Sequence, residues 1–124
     1  MITKHRLYQT FGELLYLVAI ADGVIKDEEI EGLNAILKDH PELESIKWSF
    51  NYEMTHNTSV DVLYKRIIET YSDNGPDEAY DFFMKALEQL ARADGKVDKE
   101  EQELINKFSS DLLSRFKATY NFES

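Results

Sequence analysis

The chain has 124 residues, 43% hydrophobic and 12% aromatic, so it is long enough to bury one core and too apolar to stay disordered despite a net charge of −10. Its 24 Asp and Glu against 14 Lys and Arg disfavour phosphate backbones and anionic lipid surfaces, leaving cations and basic or amphipathic protein surfaces as the better partners. There is no cysteine, which excludes disulfides, thiolate metal sites and thiol nucleophiles.

The opening stretch begins basic and turns apolar, but Glu13 and Asp22 interrupt it. Leu7, Phe11, Leu14, Leu15, Val18 and Ala21 recur at spacings of three and four. A helix over about residues 3–21 with one buried stripe is therefore expected, neither a signal peptide nor a membrane span. Gly23 ends it. Ile30, Leu33, Ile36 and Leu37 predict a second helix over roughly 26–38, with Asp27, Glu28 and Glu29 in the first turn, where the helix dipole favours carboxylates. The two are expected to form an αα-hairpin.

His40-Pro41 breaks the second helix, and a short third one is expected to open at Pro41 and Glu42 and run through Leu43, Ile46 and Phe50. Thr58 or Ser59 is the candidate cap of a fourth helix carrying Val60, Leu63, Ile67, Ile68 and Tyr71. Ser72-Asp73-Asn74-Gly75 is a turn, and a fifth helix is expected from near Pro76, burying Ala79, Tyr80, Phe83, Ala86, Leu87, Leu90 and Ala91. Gly95 ends it, and Asp98 followed by Glu101 resembles a capping box for a sixth helix with Leu104, Ile105 and Phe108 inside. Ser109-Ser110-Asp111 either starts a separate helix over about 109–121 or lies within the sixth; the pattern leaves both open. No strand-like alternation occurs, so the fold is expected to be all-α, a single domain of six or seven helices.

One stretch is written twice. Ala19 to Glu29 reads AIADGVIKDEE, and 72 residues later Ala91 to Glu101 reads ARADGKVDKEE. At that offset Leu15, Asn34 and the apolar Val18, Ile25, Leu33 and Ile36 also find equivalents, so an internal duplication of a helix, an Asp-Gly turn and a helix is expected. Repeat one spans about 3–38 and repeat two about 76–108, with inter-repeat helices over about 41–72.

Each copy sets an aspartate, Asp22 or Asp94, at the C-terminal end of a helix, where the dipole disfavours it by about 0.3–1 kcal/mol. A compensating partner is expected in both. Backbone N–H groups of the turn and the next helix are one option. A cation shared with the carboxylates of the following helix is the other. The second option has a pattern behind it, because Asp-Gly-x-Ile/Val-x-x-x-Glu matches the back half of an EF-hand loop from Asp22 to Glu29 and from Asp94 to Glu101. The front half fails, since Val18, Ile20, Leu90 and Arg92 stand where ligands are needed, and an ordinary EF-hand is rejected. The remaining oxygens suit a hydrated Mg²⁺ or a weakly held Ca²⁺.

The doubled Ala-x-Ala-Asp-Gly unit with its following Glu resembles the TerB-like family of tellurite-resistance and stress-response helical domains, a version of which occurs in membrane-anchored DjlA-type co-chaperones. The resemblance covers most of the chain and is weakest between His40 and Asn57. It implies a non-enzymatic, cytoplasmic, pseudo-twofold helical bundle in which each half carries one motif and the acidic cluster binds a divalent metal. Asp22, Glu29, Asp94 and Glu101 carry over to that cluster, with Glu28, Asp98 and Glu100 as neighbours. Lys26 stands where the second copy has Asp98, so the two half-sites are not equivalent.

No other constellation carries chemistry. His5, His40 and His56 lie far apart, no phosphate loop or nucleophile elbow is present, and Glu13 and Glu88 have no reacting partner in the sequence. The rival reading is a protein-interaction scaffold with no role for metal. It would use the aromatic inter-repeat segment of Trp48, Phe50 and Tyr52, with Tyr120 and Phe122 near the C-terminus.

Overall fold

The first helix is the one the others surround. In the computed structural model, which describes residues 3–21, 23, 25–56, 58–75, 77–92 and 99–120, α1 (Lys4–Ala19) starts where the Thr3 hydroxyl accepts from the Arg6 N–H at 3.1 Å. Every residue from Thr10 to Ala19 is buried. The expected single buried stripe is therefore too narrow, because Leu14, Leu15, Leu17 and Val18 point to different sides and helices α3 to α6 all pack against α1. One polar cost follows. Glu13 goes inside with its neighbours.

The remaining helices are α2 (Asp27–Leu37), α3 (Leu43–His56), α4 (Val60–Asn74), α5 (Ala79–Ala91) and α6 (Lys99–Tyr120), and no strand occurs among the described residues. Gly23, at φ 94°, takes the left-handed turn that ends the first helical unit. Beyond it α2 packs chiefly on α5 whereas α1 packs chiefly on α3, so the expected αα-hairpin is open. α1 and α5 end at Ala19 and Ala91, and α2 and α6 begin at Asp27 and Lys99; both pairs are separated by the same 72 residues as the repeated motif (91 − 19 and 99 − 27).

Three boundaries differ from expectation. α3 is 14 residues long rather than short, entered through a turn in which the Glu42 N–H donates to His40 Nδ1 at 3.0 Å. α5 starts at Ala79, later than Pro76, because the Asp77 carboxylate accepts from the Ala79 N–H at 2.9 Å. α6 is one continuous helix of 22 residues, so there is no separate helix over 109–121. Ser109-Ser110-Asp111 does not break it because the buried face of Ile105, Phe108, Leu112 and Phe116 runs straight through. Asp111 accepts from the Tyr64 hydroxyl and from Lys107 Nζ instead of capping a new helix.

The core is aromatic where α1 meets α5. Phe11 stacks on Phe83 at 4.2 Å, and Tyr71 of α4 meets Phe83 at 5.8 Å and Phe108 of α6 at 5.9 Å. α1 meets α3 more closely still. A Cβ on Gly12 would lie 2.3 Å from the Ile46 carbonyl oxygen and 2.8 Å from Ser49 Cβ, so only glycine permits this crossing. No helix of the described residues is long and apolar enough to cross a membrane.

Candidate functional site: acidic turns and a buried carboxylate pair

Of the seven carboxylates singled out by the repeat, Asp22, Asp94 and Asp98 lie outside the described residues. The other four separate by burial. Glu28 and Glu100 are exposed, whereas Glu29 and Glu101 are only 3% and 1% exposed. These two occupy equivalent places in the first turn of α2 and α6, and both turn inward. Their neighbours one residue earlier stay in solvent.

Glu29 Oε1 accepts from the Lys26 N–H at 2.9 Å, closing the first turn of α2 from inside. Only this half of a capping box is made in the first repeat, because a lysine side chain has no acceptor to offer; the box expected at Asp98 and Glu101 involves Asp98, outside the described residues. Glu29 Oε2 is buried and has no hydrogen-bond partner among the described residues. A buried carboxylate oxygen without a donor costs about 1–3 kcal/mol or more, and a cation or a donor group would recover it. Among the described residues, which do not include Asp22, Asp94 or Asp98, no group of three or more His, Asp and Glu could hold a metal ion.

A second acidic group has no counterpart in the repeat. Glu13 of α1 and Glu53 of α3 are both buried and share the Arg66 guanidinium of α4, whose Nη2 lies 3.5 Å from Glu13 Oε1 and 3.2 Å from Glu53 Oε2. Arg6 Nη1 stands 3.5 Å from the other Glu13 oxygen. Burial pushes the Glu13 carboxyl above the ordinary carboxylate range; Arg66 and Arg6 oppose that, and the Glu53 charge adds to it. Glu53 Oε1 is buried and makes no hydrogen bond among the described residues, and Glu13 Oε1, also buried, has only the Arg66 ion pair. The single sequence signal for this group is Glu13, which interrupts an otherwise apolar helix.

These four side chains line a recess of about 260 Å³ whose outer wall is aromatic, formed by Trp48 and Tyr52. Trp48 is 61% exposed and stacks on Tyr52 at 5.3 Å, and Tyr52 stacks on His56 at 3.8 Å. Phe50 lies on the opposite side of α3, inside the core. The inter-repeat aromatics therefore divide between surface and interior, while Phe122 and the Tyr120 side chain lie outside the described part of the structure. The three histidines are not brought together. His40 is half-buried between Tyr8 and Phe82, and His5 and His56 are exposed. Glu88 accepts from Gln102 Nε2 at 3.3 Å.

The family model described as Tellurite resistance protein TerB matches residues 11–113. That span takes in both Asp-Gly turns and the whole group of Glu13, Glu53 and Arg66. Nothing among the curated proteins or the solved structures matches the chain significantly.

Proposed function

The chain belongs to the TerB family, and from that premise we propose that it is a non-enzymatic helical domain that binds a divalent cation at its Asp-Gly turns, in a cytoplasmic stress or tellurite-resistance role. The observation that supports this reading is Glu29, 3% exposed with one oxygen committed to its own helix and the other buried without a donor among the described residues. The equivalent Glu101 of the second repeat is also buried. Asp22 with Glu29 and Asp94 with Glu101 would hold the ion, with Asp98 adding charge in the second copy and the exposed Glu28 and Glu100 at the rim. Carboxylates and waters suit hydrated Mg²⁺ or weak Ca²⁺.

Thermal melts in EDTA, Mg²⁺ and Ca²⁺ at matched ionic strength test the reading, the matching being needed because screening alone helps a chain of charge −10. A cation that binds only the folded state, present at one hundred times its dissociation constant, stabilises by about 2.7 kcal/mol per independent site. Asp22→Asn and Asp94→Asn should cancel that increment while leaving the EDTA melt unchanged or higher. If divalent ions do no more than Na⁺, and both substitutions weaken the fold in every buffer, the carboxylates are caps and the metal reading is wrong.

The exposed stack of Trp48, Tyr52 and His56 favours a second reading, in which the domain is a scaffold for a basic or amphipathic protein partner. Under it, a partner shifts Trp48 emission in EDTA as well as in Mg²⁺.

A further inference from the structure

We propose that the recess between α1, α3 and α4 receives the cationic head of an arginine or lysine side chain from a protein partner, its stem lying against Trp48 and Tyr52. The inference rests on the scaffold reading above and supplies the chemistry of the contact.

The recess offers acceptors that the fold does not satisfy. Glu53 is 1% exposed and its Oε1 is buried with no hydrogen-bond donor among the described residues, while Glu13 Oε1 has only the long Arg66 ion pair at 3.5 Å. Such groups persist in a folded chain only when something compensates them or a function needs them. Arg66 compensates in part. It reaches both carboxylates through the same nitrogen, at 3.5 and 3.2 Å, without the paired geometry that makes arginine–carboxylate contacts strong. Its side chain is 43% exposed, so another planar, donor-rich cation would add to it or displace it outward from these two contacts.

Charge and shape narrow the occupant. An anionic group would meet Arg6 and Arg66 but would set a third carboxylate beside two buried ones, on a chain of net charge −10. A cation is drawn in by the same net charge. Exposed aromatic faces at the mouth hold cations and their methylene stems. The stack from Trp48 to Tyr52 to His56 follows one side of α3 over eight residues, about 12 Å at 1.5 Å per residue. That length matches several residues of an extended peptide and exceeds a free amine, so the occupant is a segment of a protein.

The test follows Trp48, the chain's single tryptophan, by fluorescence in EDTA, so that the metal reading has no part in it. The probes are an end-capped pentapeptide with one arginine among alanines, the same peptide with citrulline in its place, and free ethylguanidinium. The arginine peptide should change Trp48 emission saturably, and the citrulline peptide should bind at least about tenfold more weakly. Glu53→Gln should cost the arginine peptide a similar factor, with circular dichroism showing that the variant stays helical. Glu13→Gln replaces it if that variant does not fold. Equal binding of the arginine and citrulline peptides overturns the proposal, although the aromatic face would still be a docking surface and the scaffold reading would stand. Ethylguanidinium binding as tightly as the peptide overturns the choice of a protein segment. No response to any probe up to about 10 mM overturns the proposal.

Discussion

Replacing Gly12 by alanine sets two opposed effects against each other, and the structure decides which wins. In a helix interior alanine is favoured over glycine by about 1 kcal/mol, so an isolated α1 would gain from the change. In the folded chain the new methyl group would lie 2.3 Å from the Ile46 carbonyl oxygen and 2.8 Å from Ser49 Cβ. The first contact must open by roughly 1 Å to reach ordinary van der Waals distance. A mid-helix carbonyl cannot turn aside, because its own helical hydrogen bond holds it, so α3 must move as a body. Overpacking of this kind costs about 1–3 kcal/mol, and a backbone obstacle places it at the upper end. Subtracting the propensity gain leaves a net loss of about 2 kcal/mol, or about 6–10 °C in melting temperature for a domain of this size. The displacement also separates Glu13, the next residue along α1, from Glu53 on α3. Thermal and urea melts followed by circular dichroism read the stability. A melting temperature equal to or above that of the parent would refute the reasoning, since it would mean that α1 and α3 do not cross at Gly12.

Gly23→Ala meets no obstacle among the described residues, none of which lies within 4 Å of the added Cβ, but the φ of 94° should make it cost about 1–2 kcal/mol in urea denaturation. Phe83→Ala removes the ring that stacks on Phe11 and meets Tyr71, and should cost about 3–5 kcal/mol; a loss below about 2 kcal/mol would contradict its place in the core. Burial raises Glu13 above its ordinary value of 4.5, so the folded state holds that proton more tightly than the unfolded one. The stability of the parent relative to Glu13→Gln should therefore be greatest below the ordinary value and fall as pH rises through the raised one. Urea midpoints at acidic and neutral pH check this, and a difference that grows with pH would contradict it. Trp48, at 61% exposure, should emit at long wavelength and be readily quenched by acrylamide, and a protected, blue-shifted emission would place it in the core instead.

Local periodicity was enough for much of this molecule. The spacing of Leu33 and Leu37, of Leu63, Ile67 and Tyr71, and of Phe83, Leu87 and Leu90 marks α2, α4 and α5, because each helix needs only its own apolar face to be recognised. The repeated Asp-Gly stretch likewise announced the family and the two acidic turns. Other features depended on what each helix packs against. Whether α6 continues past Ser109 was settled by the core that Phe108, Leu112 and Phe116 enter together. Trp48 and Phe50 stand two residues apart, about 200° around a helix, so the sequence puts them on opposite sides; only the packing of α3 on α1 chose Phe50 for the interior. The same selection sent Glu29 inward and left Glu28 in water. Glu13, Glu53 and Arg66 were beyond any local rule, because they come from three helices and meet only when α3 and α4 close over α1. Charge and periodicity act along one helix, whereas a buried carboxylate pair is made by the surfaces of three.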